Sequence, residues 1–147
     1  MAIQLGLKAK LYRGTAGTQA TTEVKNVKDL TVTLESGEAD VTTRAANGWR
    51  ASVSTLKEAS LEFSILYDTA DADFTAFQSA YFNNTAISLF VGDGDSGTEY
   101  GLDADFSITS FTIDQSLEEA ITVNITAKPT QIGGSSNRAP SWTSKGA

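Results

Sequence analysis

Alternation of apolar and polar residues recurs along most of the chain, and it commits those stretches to half-buried β-strands. A period of two puts every second side chain on one face of a sheet, so each run has a dry side and a wet side. Ile3, Leu5, Leu7, Ala9 and Leu11 share a face, with Gln4, Lys8 and Lys10 opposite. Leu30, Val32 and Leu34 alternate with Asp29, Thr31, Thr33 and Glu35. Ala59, Leu61, Phe63, Ile65 and Tyr67 form a third apolar face, backed by Glu58, Ser60, Glu62 and Ser64. Ile87, Leu89 and Val91 make a shorter run. Leu102, Ala104, Phe106 and Ile108 precede a change of phase to Phe111 and Ile113, which predicts a β-bulge near Thr109 and Ser110. Ile121, Val123, Ile125 and Ala127 form the last run, and Pro129 ends it.

One segment breaks this period. Phe74, Phe77 and Tyr81 recur at helical spacing among alanines, and Asp68, Asp71 and Asp73 stand where side-chain oxygens cap free amides and suit the helix dipole. The spacing predicts a short helix over 71–81, closed by Asn83-Asn84, with its aromatic stripe packed on a sheet. Between the run ending at Glu35 and the strand expected from Trp49, residues 36–48 alternate weakly and form a connection too long for a tight hairpin. Such a connection is either mobile or ordered by a partner. The expected fold is mainly β, a small β-sandwich or barrel with one short flanking helix. Residues 1–130 form the domain, and 131–147, with Gly133-Gly134-Ser135-Ser136, form a flexible tail.

Composition removes most chemistry. The chain of 147 residues has no cysteine and no histidine, so thiolates, imidazole bases and the commonest metal ligands are missing. Gly94-Asp95-Ser96-Gly97 copies a serine-protease signature, but that mechanism needs an imidazole to take the serine proton. Asp93, Asp95 and Glu99 hint at calcium, yet the twelfth position of an EF-hand loop begun at Asp93 holds Ala104. No catalytic residue, cofactor or metal site is expected. The net charge of −7 opposes gripping nucleic acid or an anionic membrane. The first residues lack a signal peptide's continuous apolar core, so the expectation is synthesis without export.

The charges are also sorted. The polar faces of 29–35, 58–64 and 103–109 carry Asp29, Glu35, Glu58, Glu62, Asp103 and Asp105 without a single Lys or Arg. Basic residues gather elsewhere, at Lys8, Lys10 and Arg13, at Arg44 and Arg50 in the long connection, and at Arg138 and Lys145 in the tail.

Ordered blocks then bring a family into view. Gly48-Trp49-Arg50-Ala51, Leu56-Lys57-Glu58-Ala59-Ser60, Tyr67-Asp68-Thr69-Ala70-Asp71 and Ala104-Asp105-Phe106-Ser107-Ile108 belong to the set. So do Leu117-Glu118-Glu119-Ala120, Thr126-Ala127-Lys128-Pro129 and Ala139-Pro140-Ser141-Trp142. From about residue 30 onward the chain resembles the tail tube (major tail) proteins of long-tailed bacteriophages. The resemblance implies six copies per ring and rings stacked into a tube. Adjoining sheets would then wall a lumen through which double-stranded DNA passes. It also implies a tape measure protein and a tail terminator as partners, and a place in the virion tail after assembly in the host cytoplasm.

Within that frame, the acid-only faces are expected to line the lumen, with Glu35 and Glu62 leading and Asp103 and Asp105 next. Residues 36–51, with Glu38, Asp40, Arg44, Trp49 and Arg50, are expected to form an arm that meets a neighbouring subunit or ring, Trp49 anchoring its base. The alternatives are a tube subunit of a contractile injection system, a secreted β-sandwich binding module, and a glycosidase using Glu58 and Glu62.

Overall fold

The computed structural model describes residues 3, 5–94, 98–131 and 138–145. Its strands are β1 (Lys10–Thr15), β2 (Thr22–Val24), β3 (Val27–Asp40), β4 (Ser52–Leu66), β5 (Ile87–Gly92), β6 (Glu99–Asp114), β7 (Thr122–Pro129) and β8 (Ser141–Lys145). All pairings are antiparallel, and the order across the sheet is β2-β1-β5-β6-β7-β4-β3, with β8 added to β6. β2 and β3 stand at opposite ends of that path, yet only Lys25 and Asn26 separate them in sequence. The sheet therefore curls until its ends nearly meet, and the alternating apolar side chains fill the inside.

Those side chains are the ones the period selected. Leu61, Phe63 and Ile65 of β4, Leu102, Ala104, Phe106 and Ile108 of β6, and Val123, Ile125 and Ala127 of β7 are buried in one cluster. Each large member contributes about 1.5–3 kcal/mol by leaving water. The β6–β7 pairing slips between Ile108 and Ser110, where the phase change required a bulge. Helix α1 (Ala72–Phe82) starts at Asp71, whose side chain accepts from the Asp73 amide. Phe77 packs 5.1 Å from the Phe63 ring, and Phe74 meets Tyr67 and Phe111 edge-on at 4.9 and 6.0 Å. Arg13 of β1 donates to Asp73, tying the helix start to the sheet.

Three expectations are corrected. The first run does not form one strand: Gly6–Lys8 is a single 3-10 turn, β1 begins only at Lys10, and Leu7 is 93% exposed. Its alternation finds no neighbouring strand among the described residues of the same chain. The long connection is also shorter than expected. β3 continues to Asp40 and β4 begins at Ser52, with Glu38↔Ser54, Ala39↔Val53 and Asp40↔Ser52 in register. Weak alternation hid these rungs because this part of the hairpin stands clear of the core and has no side to bury. Finally, the tail is not wholly loose. Residues 132–137, including the Gly-Gly pair, lie outside the described residues, but β8 pairs with β6 from Glu99↔Lys145 to Asp103↔Ser141. The serine-protease-like loop, at 95–97, also lies outside them.

Candidate functional site

Cross-strand partners share a face of the sheet. Thr31↔Glu62, Thr33↔Ser60 and Glu35↔Glu58 therefore set one row of side chains away from the core, and Glu62↔Thr126 and Ser64↔Asn124 extend it onto β7. The bulge in β6 turns Ser110 and Thr112 to the same side, opposite Thr126 and Asn124. The result is an open face of carboxylates, hydroxyls and amides, with a concavity of about 430 Å³ between Asp29, Thr31, Glu62, Ser110 and Thr112. The structure brings Glu35 and Glu62 together on this face, and both are exposed. Lys128, also exposed, is the basic residue that shares the β7 side of it. Glu35 directly opposite Glu58 is a like-charge pair that folding alone would not choose.

Asp103 and Asp105 are corrected. They have the same parity, yet Asp103 is 7% exposed and Asp105 0%. The β1–β2 loop and Arg138 cover this half of the face. The Gly17 amide donates to both Asp105 oxygens at 3.1 Å, and Ser88 donates to the Thr18 carbonyl. Arg138 donates to Asp105 Oδ1 at 2.8 Å, to Asp103 Oδ2 at 3.0 Å and to Ser88 Oγ at 2.9 Å. Burial alone would lower the Arg138 pKa, but its hydrogen bonds to Asp105 and Asp103 and their charges more than offset it and raise the value. The guanidinium thus stays charged, and neither carboxylate is free to face a channel. Arg138 is the residue that sequence reasoning missed. Its signal was an isolated cation in a tail, on a chain whose off-core acids had no partner.

Beside this clasp, Tyr12 and Phe90 pack at 6.0 Å, and Tyr12 donates to Glu99 Oε1 at 2.9 Å. Burial pushes the Tyr12 hydroxyl well above its ordinary value, helped by the hydrogen bond and charge of Glu99. Lys145 of β8 sits 4.5 Å over the same ring.

The arm is the far end of the β3–β4 hairpin. Val41 donates to Ala51 at 2.9 Å, Ala51 donates to Thr42 Oγ1 at 2.8 Å, and Trp49 donates to Ala46 at 3.0 Å. Asn47 and Gly48 take left-handed φ of 54° and 86°, which reverses the chain after the 3-10 turn Arg44–Ala46. The Thr42 side chain and amide hold the Asp40 carboxyl below its ordinary pKa. Glu38, Asp40, Arg44 and Arg50 are exposed. Trp49 lies near the tip rather than at the base of the arm and is 78% exposed. Glu58 and Glu62 lie four residues apart on one strand, about 13 Å by strand rise. That exceeds the ~5–9.5 Å that glycosidic acid pairs need.

Residues 8–130 match the family of phage tail tube proteins. The chain belongs to that family. The match begins earlier than residue 30 and stops short of Ala139–Trp142, so the tail of this tail tube protein is outside it. Among solved structures, the tail of an empty gene transfer agent particle, refined with C6 symmetry, is 19% identical with a TM-score of 0.74. That alignment covers 96% of this chain and 99% of the other. The SPP1 tail tube is 15% identical over 99% of this chain and 80% of the other, at a TM-score of 0.70. A chain of the anti-feeding prophage baseplate is 9% identical over 99% and 97%, at 0.64. Comparison with curated protein sequences gives no match. The family is structural, and this fold is that of its tubes.

Proposed function

We propose that this tail tube protein assembles into rings of six that stack into a tube, with the open acidic face of β3, β4, β7 and the end of β6 lining the lumen. The observation that carries this reading is the gathering of Glu35 and Glu62 with Asp29 and Glu58 among threonines and serines. Duplex DNA carries about one charge per 1.7 Å, so a lysine-rich wall would bind it along the whole conduit. A wall of like charge repels it within a Debye length of ~8 Å and leaves it mobile. Ring symmetry repeats each carboxylate around the channel, so a few per subunit become a continuous field.

The hairpin arm, with Glu38, Asp40, Arg44, Trp49 and Arg50 at its exposed end, reaches the next subunit or ring. A tape measure protein and a tail terminator complete the tail, which is built in the host cytoplasm and ends in the virion. The six-fold ring draws support from the C6 symmetry of the gene transfer agent tail. A second reading, a tube that carries protein cargo in a contractile injection system, draws on the likeness to the anti-feeding prophage baseplate chain. Electron microscopy of the purified protein tests the common part: stacked six-fold rings are expected, and a protein that stays monomeric at all concentrations overturns it. DNA inside tubes isolated with their particles separates the first reading from the second.

A further inference from the structure

β7 stops at Pro129, and past that point the two strands beside it part company. β8 takes up pairing with β6 from Asp103 to Glu99, while β4 pairs with β7 only from Leu61 to Leu66. Between them lies a cleft of about 1010 Å³. One wall is β4 from Lys57 to Ser60, the other β8 at Ser141 and Trp142. Both carry a strand edge with no ladder partner among the described residues. The floor and rim are apolar at Leu34, Ala59 and Trp142, and charged at Glu35, Glu58 and Glu62 beside Lys57 and Lys128. Leu34 and Trp142 are 57% and 67% exposed. Open edges of this kind are normally covered or blunted, because they template pairing with another chain.

The same molecule holds a strand-patterned segment that pairs with no strand among the described residues. Ile3, Leu5 and Leu7 alternate as one apolar face, but all are exposed, and residues 6–8 make a lone 3-10 turn held by Lys8→Leu5 and Ala9→Gly6 hydrogen bonds. Neither residues 3–7 nor β8 fall within the family match.

We infer that the Ile3, Leu5 and Leu7 strip of a second copy of this chain enters the cleft as an added strand between β4 and β8. The main chain supplies ladder hydrogen bonds to both open edges, and alternate apolar side chains cover Leu34, Ala59 and Trp142, as in other β-augmentation. The short 3-10 turn unwinds on entry. This contact rests on the self-assembly reading, but locates one of its seams in a named segment and slot.

The absence of native cysteine makes the test clean. Leu5→Cys and Leu7→Cys proteins, each carrying a size tag, are mixed with Trp142→Cys or Leu34→Cys protein, assembled and oxidised. A disulfide forms only where the Cα atoms come within about 4.4–6.8 Å. Expected is a cross-linked dimer of tagged and untagged chains for at least one pairing. Leu5→Asp/Leu7→Asp should leave the thermal midpoint of the monomer unchanged and raise the concentration needed for assembly about tenfold or more. Rings or tubes that form normally with no cross-link in any pairing overturn this contact and leave the assembly reading intact. A cross-link confined to one chain of the Leu5→Cys/Trp142→Cys double variant, found in dilute monomer, overturns the second copy as occupant. Wild-type protein that never assembles overturns both.

Discussion

The off-core side of the sheet is divided into two halves that follow the same alternation and carry the same kind of charge, yet do opposite things. On the β3–β4–β7 half, Glu35, Glu58 and Glu62 are exposed among hydroxyls. On the β5–β6 half, Asp103 and Asp105 are shut beneath the β1–β2 loop and bound by Arg138. Strand parity decides whether a side chain faces the core; it does not decide whether something else covers the far side. A carboxylate on a wet face costs nothing to leave alone, whereas a buried one must be paired and hydrogen-bonded. One half therefore uses its acids to hold the chain together, and the other leaves them available to a partner or a channel.

The sharpest way to break this contrast is Arg138→Ala. Removing one partner of a buried ion pair costs about 3–5 kcal/mol, because the other charge stays buried and uncompensated. Here, among the described residues, Asp105 keeps the Gly17 amide as its side-chain partner, so the expected loss lies in that range, with a fall in melting temperature of roughly 10 °C. β8 should loosen first, seen as faster amide exchange at residues 141–145. Glu62→Ala on the open half should change stability by no more than about 0.5 kcal/mol. Equal costs for the two variants would erase the distinction between the halves.

Next in size is an alkaline effect confined to the covered half. The Tyr12 pKa is raised above its ordinary 10.0, so the folded state holds that proton more tightly than the unfolded chain. Stability from this group is fully present below pH 10 and is lost as pH climbs through the folded value. Wild-type protein should lose stability above pH 10 more steeply than Tyr12→Phe, as followed by urea unfolding at pH 9 and pH 11. Parallel curves for the two proteins would show that Tyr12 and Glu99 do not carry the effect.

Much of this architecture was readable in the chain, and what was not has a physical reason. The core of β4, β6 and β7, the bulge after Ile108 and the capped helix all follow from local patterns of period and chemistry, because each is set within a few residues. The fate of Asp103 and Asp105 depends on Gly17 and Arg138, more than 30 positions away in either direction, and no local pattern encodes that meeting. The first run failed for the complementary reason. Ile3, Leu5 and Leu7 have the pattern of a strand, but pattern alone does not seat a strand on an edge, and among the described residues these three pair with none. β5 did hold a clue, since Phe90 falls out of phase with Ile87, Leu89 and Val91, and a strand apolar on both sides implies cover on both sides.

The arm sharpens the comparison at smaller cost to the fold. Replacing 41–51 by an Asn-Gly turn removes exposed residues and hydrogen bonds that serve only the tip. The monomer should keep its melting temperature to within about 3 °C, a shift of roughly 1 kcal/mol, while rings fail to stack in electron micrographs. Normal tubes from this variant would assign stacking to another surface.

Smallest in stability, and most informative about the open half, is Glu35→Lys/Glu62→Lys. Both side chains are exposed, and a lysine at the first of these positions would face Glu58 and so replace a like-charge pair by an attractive one. Exposed pairs contribute about 0–1 kcal/mol, so folding should be unchanged or slightly improved, and rings and tubes should still form. Transport is where the effect belongs. On the proposed lumen assignment, with every copy in the ring altered, the wall would gain a positive charge at each position where one of these glutamates stood, and phosphates would meet cations along the length of the tube. Each added phosphate contact steepens the dependence of binding on salt, with log K falling by about 0.9 per contact for each tenfold rise in salt. DNA release from variant particles should therefore be slowed at low salt and restored as salt rises, whereas wild-type release should vary little. Variant tubes that release DNA at the wild-type rate at low salt would move Glu35 and Glu62 to the outer surface. The covered half, with its acids already bound by Arg138, would then have no counterpart facing a channel.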